Sequence, residues 1–428
     1  MSRRPGTPLG LLKREPSFRR LFLATLGSGA GTWLALVALQ IDVLHRTHSP
    51  AWMSALLIAD LLPMPIFALL AAPLVDRLSR KRLMIASDLA RFGVFALLPF
   101  ARSATQIVAL AAVAGIATGV FRPAVYAGLP NLVEDEDLPA ANSLLQTIDN
   151  TTWALGSLAG GALVAGSGTD AAYAINAVTF LVSAVLLVGI PERLFQAAKA
   201  VRHGHWRDLG EGLRIAWRSR ALLTVLIAWN IGMLSNAAVN VSEPFLATDS
   251  FDAGSFGLGL LMGCAGAGLA AGAYLGGQWI ERRGLSNVYG ASLGLMAIGL
   301  GAAAAAPNVW VAAACVVLSG AGNGAAVVCN ALLVQRGAPD ALRGRAFTVL
   351  MASNMSLLAL GMVVSGHLTN TVGPRWMWGG AAILSATAAV AGFALSRGVR
   401  EAVGPTQREP ASELETARPR ETQEAPSA

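Results

Sequence analysis

The sequence predicts an all-α membrane protein of twelve transmembrane helices, arranged as two six-helix repeats. Three features predict it: an apolar composition broken at intervals by short polar loops, basic residues confined to one set of loops, and an internal match at a shift of 205 residues. Of 428 residues, 54 % are hydrophobic and only 13 % charged, whereas about a quarter of a soluble domain is charged. A water-soluble enzyme is excluded. Cys264, Cys315 and Cys329 all lie in apolar runs and the five His are scattered, so neither a disulfide scaffold nor a metal site is expected, and no cofactor is implied. The net charge of +7 would point to nucleic acid in a soluble chain, but here the basic residues lie between apolar segments, and no nucleic-acid partner follows.

A bilayer core about 30 Å thick requires about 20 apolar residues per helix. Within it the backbone must satisfy its own polar groups. Runs of that kind cover residues 21–43, 52–74, 83–101, 107–129, 139–165 and 171–190 (spans 1 to 6). The second set is 221–246, 255–280, 288–306, 309–334, 346–368 and 376–395 (spans 7 to 12). The first run is too long for a signal-peptide core and is expected to be retained.

Orientation follows from the loops. With both ends inside, the inner segments hold 27 Lys and Arg, and the outer loops hold 3, namely Arg46, Arg102 and Arg375. The chain is expected in the cell membrane with both termini cytoplasmic. Residues 1–17 and 399–428 are polar and Pro-containing and read as disordered tails. Between the bundles at 18–190 and 221–398, the loop 191–220 sets Trp206, Leu209, Leu213 and Trp217 at helical spacing, with Arg207, Arg214 and Arg218 around them. This predicts either a helix lying on the inner membrane surface or a solvated linker.

At a shift of 205, Arg77 falls on Arg282, Gly115 and Gly119 on Gly320 and Gly324, Asp135 on Asp340, Gly156 on Gly361, and Gly161 on Gly366. Six spans duplicated to twelve predict two similar bundles facing each other across a midplane cavity, an arrangement that permits one bundle to rock against the other.

The loop after span 2 reads Asp76-Arg77-Leu78-Ser79-Arg80-Lys81-Arg82, and its repeat copy has Gly277, Glu281, Arg282, Arg283 and Gly284. These resemble the loop signature of the major facilitator superfamily, although Ala72 and Ser79 stand where that signature has Gly. The resemblance extends over residues 18–398 and implies the major facilitator fold. It also implies a conformational latch at Asp76 and Arg77, with Arg80, Arg82, Glu281, Arg282 and the span 3 pair Asp88 and Arg91 around it. Paired positive-inside residues without a latch are the alternative.

Phe121-Arg122-Pro123-Ala124, Leu129-Pro130-Asn131-Leu132-Val133, Ala141-Asn142-Ser143 and Glu211-Gly212-Leu213-Arg214 are similar to the drug:proton antiporter branch that includes macrolide-efflux and enterobactin-exporter proteins. Gly156, Gly160 and Gly161 belong to a stretch resembling that branch's fifth-helix motif, with Ser157 where Pro is usual. The resemblance implies secondary active efflux of an amphipathic organic compound, driven by protons, in a lipid bilayer. A lipid or lysolipid translocator is the second reading. A membrane-embedded enzyme or sensor is the third, and it lacks a catalytic cluster. No Walker-type phosphate loop occurs. The sequence is compatible with a monomer.

Charges at mid-membrane cost at least about 2.5 kcal/mol each on insertion scales. Asp60 lies ~12 Å into span 2 and Asp149 ~15 Å into span 5 from their nearer ends; Arg122 is ~10 Å deep in span 4. Asp149 and Arg122 read either as a proton-coupling site or as a permanent packing pair, and Asp60 is the next coupling candidate. Asp42 and Glu243, near outer helix ends, are expected to be solvated. Gly156 and Gly160 in span 5, with Gly259, Gly263, Gly268, Gly272 and Gly276 in span 8, read as surfaces on which the halves slide or as ordinary tight packing. Because the resemblance assigns spans 1, 4, 7 and 10 to the pathway, candidate cavity residues are Thr25, Ser28, Thr32 and Trp33, Trp229, Asn236 and Asn240, and Asn323 and Asn330. For each polar one, helix packing is the alternative.

Overall fold

The computed structural model describes residues 8–63, 66–67, 79–195, 217, 219–338 and 342–397. Among them every regular element is helical, and ten helices are long and apolar enough to cross a membrane. Span 1 is Pro16–Thr47, span 3 Arg80–Leu97, span 4 Ala104–Gly128, span 8 Gly254–Arg283 and span 9 Leu285–Ala304. Spans 10, 11 and 12 are Val309–Gly337, Arg343–Val372 and Pro374–Ser396. Span 7 runs through Arg220–Ser250 with π-helical turns at Val225–Trp229 and Leu246–Ser250. Of span 2 the described helix is Pro50–Leu61.

Spans 5 and 6 share the 51-residue element Leu138–Val188. Held straight it would be ~77 Å long at 1.5 Å per residue, more than twice the bilayer core. Gly168 breaks it at φ 80°, ψ 174°, a backbone that a residue with a Cβ adopts only under strain. The two spans are therefore arms meeting at one glycine. Prolines at the first turns of spans 1 and 12 and of the span 2 helix start those helices without sacrificing a backbone bond. The Ser103 hydroxyl accepts from the Gln106 N–H to cap span 4, and Asn308, 205 residues later, accepts from Trp310 and Val311 to cap span 10.

The repeat is visible in close contacts. A Cβ on Gly115 would collide with the carbonyl oxygen of Asp60, and one on Gly320 with that of Ala265. Gly161 abuts Ser255 and Gly259, while Gly366 abuts Pro50 and Ser54. Each of these pairs maps onto its counterpart by the same shift of 205. Gly156 rests on Ala30 and Trp33 of span 1, and Gly361 on Leu234 and Ala237 of span 7, positions one residue short of it.

Both ends of the described chain, near Arg14 and Ser396, lie on one face. Arg14 pairs with Asp137 before span 5, and Ser396 hydrogen-bonds Ser286 at the start of span 9. Away from that face a single apolar core runs through both halves and includes Leu39, Phe180, Val241, Leu261 and Trp378. Toward the chain ends the core divides. One part, with Leu21, Phe121, Leu145 and Phe195, belongs to the first half; the other, with Leu222, Tyr289, Leu333 and Leu350, belongs to the second.

The N-terminal segment departs from the expected disorder. From Pro8 it forms the helix Pro8–Arg14, because Leu11 is fully buried against the first half's core and Arg14 finds Asp137. Residues 1–7 and 398–428, the predicted surface helix around Trp206, Leu209 and Leu213, and the loop carrying Asp76 and Arg77 lie outside the described residues; Trp217 is described and exposed.

Candidate functional site

A cavity of about 250 Å³ lies between the two halves. Span 1 contributes Trp33 and Gln40, span 2 Asp60, span 5 Trp153, span 7 Asn236, Asn240 and Glu243, span 10 Ser319 and Asn323, and span 12 Trp378. Periodicity explains the groupings. Asn236, Asn240 and Glu243 are spaced i, i+4, i+7 on one face of span 7, and Trp33 and Gln40 are two turns apart on span 1. The Trp33 and Trp153 rings stack with centroids 5.3 Å apart and planes 18° from parallel, which closes spans 1 and 5 together beside the cavity. Neither Asp60 nor Glu243 has an ion-pair partner among the described residues. Such a site offers a mostly apolar, aromatic surface with a few polar anchors, the usual composition of a small-molecule pocket.

Of the cavity candidates read from the sequence, Trp33, Asn236, Asn240 and Asn323 line it, as does Asp60. The others do not. Thr25, Ser28 and Thr32 turn their hydroxyls onto backbone carbonyls of their own helix, at Leu21, Thr25 and Ser28 respectively. Trp229 is buried in the second half's separate core. Asn330 lies two turns beyond Asn323 toward the chain ends, outside the cavity lining. Glu243 corrects an expectation: it is 7 % exposed and faces the cavity rather than solvent. Asp42 is also buried, held by Arg46 Nε at 2.5 Å and by the Tyr173 hydroxyl at 3.1 Å. Gln40, Trp153, Ser319 and Trp378 were not singled out by sequence. Gln40 had a signal in its two-turn spacing from Trp33, and Trp153 in its position one turn after Asp149; Trp378 had none.

Nearer the chain ends, Asp149 and Arg122 form an ion pair. With Thr25, Phe121, Tyr126 and Leu145 they line a second hollow of about 30 Å³ within the first half. Both side chains are partly exposed. Asp149 stands two turns before Gly156 on the face turned to span 1, which explains why Thr25 of span 1 completes this hollow.

The basic residues after span 2 tie down the first half's own loops. Arg80 donates to the Ala127 carbonyl at 2.6 Å, Lys81 to those of Val188 and Ile190, and Arg82 pairs with Glu192 at 2.8 Å. Asp88 and Arg91 pair at 2.6 Å deep inside the same half. The Ser183 hydroxyl donates to Asp88 at 2.7 Å, and the Arg91 guanidinium is sandwiched by the Phe121 and Phe180 rings, 4.4 and 4.3 Å from their centroids. Glu281 and Arg282 are exposed at the end of span 8.

The small-residue surfaces sort into two kinds. Gly156 and Gly160 pack on Ala30, Trp33 and Leu34 of span 1, inside the first half, and Gly268, Gly272 and Gly276 pack on Val317, Ala321 and Ala325 of span 10, inside the second. One contact between halves is made by Gly161, Gly259 and Gly263, with Ser157 and Ala154 opposite the last two, and its repeat copy by Gly366 against Ser54. One residue of helical rotation, about 100°, separates Gly160 from Gly161 and decides which neighbour each meets.

A family model described as "Transmembrane secretion effector" matches residues 7–421. The chain belongs to that family, within the major facilitator superfamily. This secretion-effector chain is similar to the MFS-type transporter YfiS of Bacillus subtilis, 26 % identical over 375 residues covering 85 % of this chain and 89 % of the relative. It is 26 % identical to the multidrug efflux pump Tap of Mycobacterium tuberculosis strain H37Rv, covering 84 % and 88 %, and 26 % identical to the enterobactin exporter EntS of Salmonella typhimurium, covering 90 % and 91 %. Among solved structures, a bacterial homologue of the iron transporter ferroportin shares the fold at a TM-score of 0.70 and 17 % identity, covering 89 % of this chain and 98 % of that one. A peptide-transporter-family protein bound to 5-aminolevulinic acid shares it at a TM-score of 0.74 and 11 % identity, covering 90 % and 97 %. The secretion-effector chain is thus a multi-pass membrane transporter, not an enzyme.

Proposed function

We propose that this chain is a secondary active exporter of the cell membrane, exchanging inward-moving protons for an amphipathic organic compound by alternating access. One observation carries the reading: the cavity lies between two halves whose cores are fused on one face and separate on the other. If the chain ends are cytoplasmic, as the basic loops require, this is the state open to the inside. Opening the opposite face requires the Gly161–Gly259 and Gly366–Ser54 crossings to part while the terminal ends close. The relatives Tap and EntS, named as exporters, support the outward direction.

The proton gradient supplies about 1.4 kcal/mol per pH unit and about 2.3 kcal/mol per 100 mV. Asp149 is the proposed coupling carboxyl, with Arg122 as the partner it releases and regains as span 5 moves, and Asp60 is the second candidate. Transport of macrolides, siderophores and lysolipids into everted vesicles, with and without a protonophore, tests the whole reading. Accumulation of a macrolide or siderophore that the protonophore abolishes is expected. Accumulation indifferent to the protonophore overturns proton coupling, preference for lysolipids overturns the substrate class, and no movement of any compound overturns export of these compounds.

A further inference from the structure

We infer that the cavity between the halves is a binding site for an organic cation, an assignment that rests on the exporter reading only for the direction in which the cation moves. The two halves contribute one carboxyl each, Asp60 from span 2 and Glu243 from span 7, and no Lys, Arg or His accompanies them among the described lining residues. Glu243 is 93 % buried and has neither an ion pair nor a hydrogen-bonded side-chain partner among the described residues. A second set of groups is also unfulfilled. The side-chain oxygens of Gln40 and Asn323 are buried without a partner, as are the indole N–H groups of Trp153 and Trp378, and all four residues line this cavity.

Buried polar groups are ordinarily satisfied, and an acid in the membrane interior ordinarily has a partner or a task. The missing partner here has a definite chemistry. Two carboxyls and two amide oxygens call for positive charge and N–H donors, and the indole N–H groups call for an acceptor on the same molecule. The aromatic rings add attraction for a cation through their faces.

An inorganic cation fits poorly. Calcium takes six to eight oxygen ligands and magnesium keeps several waters, whereas most of this lining is Leu, Val, Met and Trp side chains. A bulky amine or onium ion instead buries its apolar surface there and sets its charge between the two carboxyls. Because the carboxyls belong to opposite halves, that charge bridges the halves across the plane on which they move.

The test is saturable equilibrium binding to the purified full chain in detergent, comparing tetraphenylphosphonium with tetraphenylborate. The two ions share one shape and differ in sign of charge. Phosphonium binding at least about tenfold tighter than borate is expected in the wild type. The ratio should fall to about one in Asp60→Asn/Glu243→Gln, with each single substitution between. The wild-type comparison stands even if a variant fails to fold. Borate binding as tightly as phosphonium, a preference that survives the double substitution, or no saturable binding of either ion overturns the inference. Its failure is separable from that of export: vesicles that accumulate a siderophore without any cation preference overturn the cation site alone, and a chain that binds phosphonium but moves nothing overturns export alone.

Discussion

Gly161 of span 5 rests on Gly259 of span 8 so closely that a Cβ on Gly161 would come within 2.8 Å of the Gly259 Cα and 2.6 Å of the Ser255 carbonyl oxygen. This contact joins the halves, and the repeat reproduces it where Gly366 meets Ser54, whose hydroxyl donates to the Met362 carbonyl at 2.6 Å. On the proposed alternating-access cycle, a side chain at Gly161 therefore penalises one conformation rather than the fold of either bundle.

Overpacking costs about 1–3 kcal/mol, equivalent to a shift of roughly 5- to 150-fold between the two conformations at 1.4 kcal/mol per tenfold. Gly161→Leu is expected to lower export at least about tenfold with near-normal protein in the membrane. A cysteine at position 36, which lines the cavity, should become more reactive from the face opposite the chain ends. Gly272→Leu, which meets the Ala321 backbone of span 10 inside one half, should instead deplete folded protein. Equal loss of folded protein in both variants would refute the division.

The Asp88–Arg91 pair is expected to behave as a structural element of the first half. Removing one member of a buried pair strands the other and costs about 3–5 kcal/mol. Arg91→Ala should lower the unfolding temperature of the detergent-purified protein and its yield, and Arg91→Lys, which cannot reproduce the planar stacking between Phe121 and Phe180, should recover only part of the loss. A stable Arg91→Ala protein with a specific defect in conformational cycling would favour a latch instead.

Span existence was legible because the bilayer demands length and apolarity together, and both can be counted. The faces within a span were legible too: Asn236 and Asn240 predicted a cavity surface, and Glu243 three residues on shares it. Glu243 was not legible as a cavity residue, because nearness to a helix end suggests exposure while depth along a helix does not determine which way a side chain turns. Trp229 and Asn330 failed for the complementary reason. Each keeps the spacing of its cavity-lining neighbour, but lies two turns, ~10 Å, nearer the chain ends. There Trp229 belongs to a core confined to one half. The vertical extent of a cavity depends on how two bundles lean, and no periodicity within one helix encodes that.

From the basic-residue split of 27 to 3, both ends of the chain are expected in the cytoplasm. Reporter domains active only in the cytoplasm, fused at residues 1 and 428, should both be active. The split is large enough that removing the five basic residues after span 12 should leave the result unchanged, since 22 of the 27 inner basic residues would still stand against 3 outer ones. One periplasmic end would refute the even number of crossings.

Asp149 and Arg122 yield the prediction most informative about mechanism. The pair is partly exposed and lines a hollow toward the chain ends, so water and protons can reach it from that side. Its two members sit on different helices, span 5 and span 4, and span 5 also carries Gly161 at the contact with the other half. Both helices belong to the first half, so rocking of that half as one body leaves the pair intact; the coupling role requires span 5, pulled at its Gly161 contact, to shift against span 4. An intact pair favours the ionised carboxyl and a broken one removes that support. On the proposed coupling role, the carboxyl takes a proton in the conformation with the pair broken and releases it as the pair re-forms. Asp149→Asn should abolish gradient-driven export while leaving counterflow exchange of substrate and folded protein largely intact. Arg122→Ala should retain some export but with an altered pH dependence. Wild-type uphill transport and pH dependence in Asp149→Asn would remove this residue from coupling and leave Asp60, unpaired in the cavity among the described residues, as the position to substitute next.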